Sequence, residues 1–176
     1  MALLLAAAFG TVAPPPAIDF GAVQLGRAGV RTIALRADEV DVHGAGYSAT
    51  RTRGGVLVVF EPYEREVVRG SLLVRAHGHS TRVALRGRGI DTLVPRLVVT
   101  RAALRGGTLT VGYLASDNDL VSSCVLAVGN RVVGRARWPA TSVRARVPRG
   151  ARALRITLTA IDRAGNRAST PVRVSR

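Results

Sequence analysis

The sequence predicts an all-β protein made of two tandem antiparallel β-sandwiches. Three observations predict this class. Apolar and polar residues alternate at period 2, turn-forming residues separate these stretches at short intervals, and no segment after Pro16 has apolar residues at helical spacing. Hydrophobic residues make up 47% of the 176 residues, which excludes wholesale disorder. Aromatic residues are only 4%, so Val, Leu, Ile and Ala must fill the cores.

The N-terminal segment is uninterrupted in its apolar character from Met1 to Ala13, and three prolines follow it. Thr11-Val12-Ala13 fits the small-x-small cleavage rule of secretory signals. The run is too short for a membrane span, which needs about 20 apolar residues. We therefore expect residues 1–17 to be a signal segment with a proline-rich junction, and the protein to be extracellular or in the cell envelope. A hydrophobic first strand or a tail is the alternative interpretation.

The first predicted module spans residues 18–91. Its alternating segments, which we interpret as strands, are residues 30–36, 56–60, 71–76 and 80–86. The second predicted module spans residues 92–176. Its strands are residues 96–100, 108–113, 124–128, 142–147, 154–160 and 170–174. In the predicted strand 154–160 we expect Leu154, Ile156 and Leu158 to face the core, and Arg155, Thr157 and Thr159 to face water. Two small sandwiches explain this spacing better than one large barrel.

Several motifs of the first module occur in a specific order. They are Ile18-Asp-Phe-Gly-Ala-Val-Gln-Leu-Gly26, Phe60-Glu-Pro62, Gly70-Ser-Leu-Leu-Val74 and Val83-Ala-Leu-Arg-Gly-Arg-Gly89. With them, residues 18–90 resemble the immunoglobulin-like modules of the ASH/choice-of-anchor-D type. The resemblance implies an Ig-like sandwich in which a Phe-x-Pro turn ends one strand and Gly-x-Gly ends the last. Between residues 36 and 55 the Asn-x-Gly turn and the following Phe of that type are absent.

The second module contains Ile156-Thr-Leu-Thr-Ala-Ile-Asp-Arg-Ala-Gly-Asn166, followed by Val172-Arg-Val174. Residues 96–174 are thereby similar to bacterial Ig-like or fibronectin-III-like repeats. In such repeats the Asp-x-x-Gly-Asn turn joins the last two strands, because glycine accepts the left-handed backbone of the turn. The resemblance implies a spacer, stalk or binding platform on a secreted or surface protein. We therefore expect a non-enzymatic structural or adhesive protein.

The charge is distributed unevenly between the two predicted modules. The net charge is +15, and every basic residue is arginine. Residues 18–91 have 11 Arg and 8 acidic residues, and residues 92–176 have 15 Arg and 3 acidic residues.

Arginine binds phosphate and sulfate through a bidentate fork, and tryptophan stacks on guanidinium groups or sugars. The candidate anion contacts are Arg131, Arg135, Arg137, Trp138, Arg144 and Arg146. They predict, as the alternative function, binding of an anionic cell-wall polymer, polysaccharide or nucleic acid. A solvated arginine face with Trp138 in the core is the competing interpretation.

Other chemistry-bearing residues have ordinary explanations. His77-Gly78-His79, with His43, could form a metal site, but we expect an exposed turn. Asp117, Asp119 and Asp162, with Asn118 and Asn166, are hard oxygen donors of the kind that calcium prefers, and also common turn formers. Cys124 lies in phase with a predicted strand, which predicts a buried, inert thiol. We expect no enzymatic activity, no cofactor, no metal, no small-molecule substrate and no transmembrane span. The partner is an unidentified protein or anionic polymer.

Overall fold

The computed structural model describes residues 15–147 and 155–174. Within these ranges the regular structure is β-strand, and no helix is present that could span a membrane. The chain divides into two compact units, the first ending at Ile90 and the second beginning at Asp91. Each unit is a sandwich of a four-stranded and a three-stranded sheet. The predicted class of two tandem Ig-like β-sandwiches is thus confirmed. Most of the predicted signal segment, residues 1–14, lies outside the described residues.

The first unit has seven strands. They are β1 (Ala17–Gln24), β2 (Gly29–Ile33), β3 (Glu39–His43), β4 (Tyr47–Thr52), β5 (Gly55–Phe60), β6 (Val67–Ala76) and β7 (His79–Ile90). One sheet has the order β1-β7-β6-β3 and the other β2-β5-β4. Unlike the antiparallel pairing predicted throughout, β1 lies parallel to β7. A bulge between Asp19 and Ala22 interrupts this pairing, and Gly21 adopts the left-handed backbone there with φ +66°.

Three aromatic rings pack against one another in the core of the first unit. Phe20 lies 5.7 Å from both Tyr47 and Phe60, and Tyr47 stacks on Phe60 at 4.7 Å. The Tyr47 hydroxyl donates a hydrogen bond to the Val68 carbonyl at 2.9 Å. Burial, with a smaller contribution from Asp19, raises the pKa of Tyr47 to about 12. This core therefore depends on a few large side chains, despite the low aromatic content of the whole chain.

Two glycines at the end of β7 make room for the Phe-x-Pro turn. A Cβ added at Gly87 would lie only 2.3 Å from the Phe60 ring. A Cβ added at Gly89 would lie 2.0 Å from the Glu64 carbonyl oxygen and 2.9 Å from Pro62. The Gly-x-Gly and Phe-x-Pro motifs are therefore packing partners, because the strand end must have no side chain where the ring and the turn approach it.

The second unit also has seven strands. They are β8 (Arg96–Arg105), β9 (Thr108–Ser116), β10 (Val121–Val128), β11 (Arg131–Arg137), β12 (Ser142–Arg146), β13 (Ile156–Asp162) and β14 (Arg167–Pro171). The sheets have the orders β11-β10-β13-β14 and β12-β9-β8. Gly106 and Gly107, with φ of +54° and +74°, form the two-residue turn between β8 and β9. The core is mainly aliphatic, with Leu109, Leu126 and Leu158 fully buried and Tyr113 as its aromatic member.

Candidate functional site

Of the arginines on the outer face of the three-stranded sheet of the second unit, four lie toward the end that carries the Gly106-Gly107 turn, and Arg96 lies at the other end. Arg144 and Arg146 come from β12, and the residues on either side of Arg144, Val143 and Ala145, are in the core. Arg101 and Arg105 come from β8, and all four arginines are exposed. We call these four residues the arginine quartet.

The strand register places the quartet around the centre of this sheet. Arg144 pairs with Thr110 on β9, and Arg146 pairs with Thr108, which in turn pairs with Arg105. Neighbouring strands are about 4.8 Å apart, so about 10 Å separates β12 from β8. A Cβ added at Gly112 would lie 2.8 Å from Arg101 Cγ, which shows that the Arg101 side chain lies over this glycine. Between the arginines of β8 and those of β12, the face is lined by Thr108, Thr110 and Gly112 of β9, which are small or hydroxylic.

The other predicted arginines belong to the four-stranded sheet. Arg135 and Arg137 are exposed on β11, on either side of the buried Ala136. A bulge separates them from Arg131, which pairs with the buried Val128. Arg131 therefore does not lie in one row with Arg135 and Arg137.

The predicted contacts are divided between the two sheets of the second unit, whose edge strands β11 and β12 are neighbours. Arg135 and Arg137 project from one sheet, and Arg144 and Arg146 from the other. Sequence reasoning missed Arg101 and Arg105. The Gly106-Gly107 turn was the available signal, because a two-residue hairpin fixes Arg105 opposite Thr108.

Trp138 lies on the surface and not in the core, since 53% of it is exposed. It borders a pocket of about 140 Å³ whose lining is mostly apolar. Leu114, which is 62% exposed, also borders the pocket, and Tyr113 and Cys124 contribute to its lining. The site is thus a small apolar hollow with two exposed hydrophobic side chains beside it.

Cys124 is buried, as predicted, with 1% of it exposed. Burial raises the pKa of its thiol, and a hydrogen bond with Tyr113 opposes this change only in part. Burial also raises the pKa of Tyr113 well above its usual value, and the neighbouring Cys124 adds to the effect. A raised pKa keeps the sulfur protonated at neutral pH, so the thiol is a poor nucleophile.

The three histidines do not come together. His77 and Gly78 form the tip of the β6–β7 hairpin, with φ of +49° and +78°, and the His77 amide donates to Asp38 Oδ2 at 2.7 Å. His43 pairs with Ser71, six residues before His77 on the hairpin, so roughly 20 Å of strand separates them. The Nε2 atom of His43 instead lies 3.1 Å from an oxygen of Asp41.

Three carboxylates of the second unit do come together. Asp91 follows β7, Asp117 follows β9 and Asp162 ends β13, and one oxygen from each lies within 4.8 Å of the other two. Asp91 is 8% exposed and Asp162 only 2%. Burial, and to a smaller extent the charges of the other two carboxylates, raise the pKa of Asp117. We call these three residues the carboxylate cluster.

Two asparagines hold Asp91 in the cluster. The Asn118 side-chain amide donates to Asp91 Oδ1 at 3.2 Å, and that of Asn166 donates to the Asp91 carbonyl at 3.3 Å. Both asparagines that bond to Asp91, the residue that ends the first predicted module, thus belong to the second unit. The structure brings together Asp117 and Asp162 of the predicted calcium set, whereas Asp119 donates its amide to Asp117 and is not one of the three. Nothing in the local sequence indicates Asp91, since its partner Asn166 is 75 residues away.

No family model matches this sequence, and no curated protein matches it. Solved structures of tandem modules are similar to it. A fragment of titin has a TM-score of 0.48 at 12% identity, covering 94% of this chain and 100% of that one. Fibronectin(III)-like modules of Clostridium thermocellum CbhA have a TM-score of 0.40 at 12% identity, with 93% of each chain covered.

A titin structure of three immunoglobulin domains gives a TM-score of 0.40 at 9% identity over 92% of this chain. The chain spans 62% of the length of that fragment. At 9–12% sequence identity, these similarities relate to the fold and carry no conclusion about function. The assignment as two Ig-like sandwiches rests on the strands and sheets of the chain itself.

Proposed function

We propose that this chain is a non-enzymatic structural or adhesive protein, secreted or held in the cell envelope. The first module, of the ASH/choice-of-anchor-D type, acts as a spacer, and the second, fibronectin-III-like module is a protein-interaction platform. The observation that supports the platform is the apolar pocket beside Trp138 and Leu114. Tryptophan is enriched among the residues that contribute most of the binding energy at protein–protein interfaces, and exposed apolar patches mark such interfaces.

The platform predicts a protein partner in direct contact with the pocket. We would replace Leu114 with the photo-crosslinking amino acid benzoylphenylalanine and irradiate cells of the native host. The expected result is one discrete protein adduct, which disappears when Trp138 is also changed to Ser. The same probe at Val132, which is 56% exposed and not part of the pocket lining, is the control. Equal labelling from both positions, or none from position 114, would contradict the platform.

The arginine quartet supports a second candidate function, the binding of an anionic polymer. Arginine is the best side chain for bidentate contacts with phosphate, sulfate or carboxylate. Within the described ranges, none of the four forms an ion pair with a carboxylate. The four acidic residues of the second unit are Asp91, Asp117, Asp119 and Asp162, and none of them lies on a strand of the quartet's sheet. The quartet's positive charge is therefore available to an anion.

Elution from a heparin column tests this candidate. We expect the full chain to elute at a salt concentration well above the physiological value of about 0.15 M. Changing Arg101, Arg105, Arg144 and Arg146 to Gln is expected to lower this salt concentration strongly, because each lost contact reduces the salt-dependent affinity. A control variant loses the same charge from the first unit, through Gln at Arg27, Arg53, Arg82 and Arg88, all exposed. If both variants elute at the same salt, net charge alone causes retention and the quartet is not a site.

A further inference from the structure

We propose that the carboxylate cluster of Asp91, Asp117 and Asp162 is a binding site for a divalent cation, with calcium as the preferred ion. This site shares no residue with the pocket or with the arginine quartet. Three carboxylate oxygens, one from each residue, lie within 4.8 Å of one another. Oxygens that surround a calcium ion at 2.3–2.6 Å are separated from each other by about such distances.

A second observation points to a missing ligand. The Oδ2 atom of Asp162 is buried and has no hydrogen-bond partner. Its other oxygen, Oδ1, accepts the Asn166 amide at 2.9 Å, so the carboxylate is held in one orientation. A buried carboxylate oxygen without a partner destabilises the folded state, because it has lost its hydrogen bonds to water and forms none in the protein. A cation bound at this oxygen removes that cost.

The electrostatics of the cluster lead to the same conclusion. Three carboxylates so close together repel one another when all are ionised, and two of them are almost fully buried. A divalent cation neutralises most of this charge. The hydrogen bonds from Asn118 and Asn166 to Asp91 then have the role of supports that orient a metal ligand.

The chemistry of the donors selects the ion. The cluster consists of carboxylates, and residues 91–176 contain no histidine, while Cys124 is part of the pocket lining. Hard oxygen ligands without nitrogen or sulfur suit calcium or magnesium and not zinc or copper. Calcium accepts irregular arrangements of protein ligands, whereas magnesium demands a near-ideal octahedron and keeps its waters. Ligands from three separate segments of the chain favour calcium.

Calorimetry with CaCl2 on the full chain, after removal of metal with EDTA, tests the site. The expected result is saturable binding at one site per chain and a higher unfolding temperature of the second unit in about 10 mM Ca²⁺, since extracellular calcium modules bind with Kd values of about 0.1–1 mM. Asp162→Asn is expected to weaken binding at least tenfold. Asp41→Asn, in the first unit, is the control and is expected to bind calcium as the wild type does.

The unfolding temperature distinguishes a metal site from a structural role. Asp117→Asn removes one of three repelling charges, so in EDTA it is expected to unfold at or above the wild-type temperature. In calcium it is expected to unfold below the wild type, because a ligand is lost. A variant that is less stable than the wild type by the same amount in both buffers would overturn the proposal, as would the absence of saturable binding to the wild type. Magnesium binding as tight as calcium binding would overturn the choice of ion.

Discussion

Replacing Gly87 with Ala is expected to destabilise the first unit by about 3 kcal/mol, the upper end of the usual cost of overpacking a core. The added methyl group would lie 2.3 Å from the Phe60 ring. That ring is fully buried and stacks on Tyr47, so it cannot move away without disturbing the whole aromatic core. Urea denaturation of the full chain, followed by the near-ultraviolet signal of the tyrosines, measures the change.

Gly54→Ala is the matched control for this substitution. No atom lies within 4 Å of a Cβ added at Gly54, and its backbone is not left-handed. We expect a change within about 0.5 kcal/mol, which is typical of surface positions. If both variants lose the same stability, the general flexibility of glycine is responsible and not the contact with Phe60.

Leu158→Ala is expected to have a comparable or larger effect on the second unit, about 2–5 kcal/mol. Leu158 is fully buried on β13 and lies opposite Leu126, which is also fully buried, on the neighbouring β10. Because the core is aliphatic and its strands are held in a sheet, the surrounding side chains can fill the cavity only in part. The emission of Trp138, the only tryptophan and a residue of the second unit, reports this transition in urea.

Leu114→Ala deletes the same atoms from a side chain that is 62% exposed. Its expected cost is below about 1 kcal/mol, because less apolar surface returns to water and no enclosed cavity forms. A loss at Leu114 as large as that at Leu158 would mean that burial in the sandwich does not determine the stability of this unit.

The core strands of both units could be predicted from the sequence, because a strand with one face in the core must alternate. Strands β1, β3, β4 and β11 were not predicted in this way. They lie at the edges of their sheets, and β3 combines Glu39, Asp41 and His43 with only partly buried valines. Edge strands bury less surface, so their hydrophobic pattern is weak. The parallel pairing of β1 with β7 was also beyond prediction, since alternation is the same in both directions.

The candidate sites were predictable where they depend on one strand only. Alternation correctly placed Arg144 and Arg146 on one face of β12. The bulge in β11, which separates Arg131 from Arg135, leaves no clear mark in the sequence. The carboxylate cluster depends on three segments at strand ends that are far apart in the chain. Turn residues were recognised at Asp117 and Asp162, but their approach to Asp91 follows from the order of the strands, which the sequence pattern does not contain.

The position of β1 beside β7 has a consequence for how the first unit is assembled during synthesis. Ala17 is one of the first residues of the unit, and its partner on β7 is Ala84, near the end. The growing chain must therefore keep β1, whose Ile18 and Phe20 are destined for the core, without its strand partner until almost the whole unit has left the ribosome. The second unit begins with a hairpin, β8 and β9, that can close as soon as it emerges. Of the two units, the one that is made earlier is thus the one that needs protection from aggregation for longer.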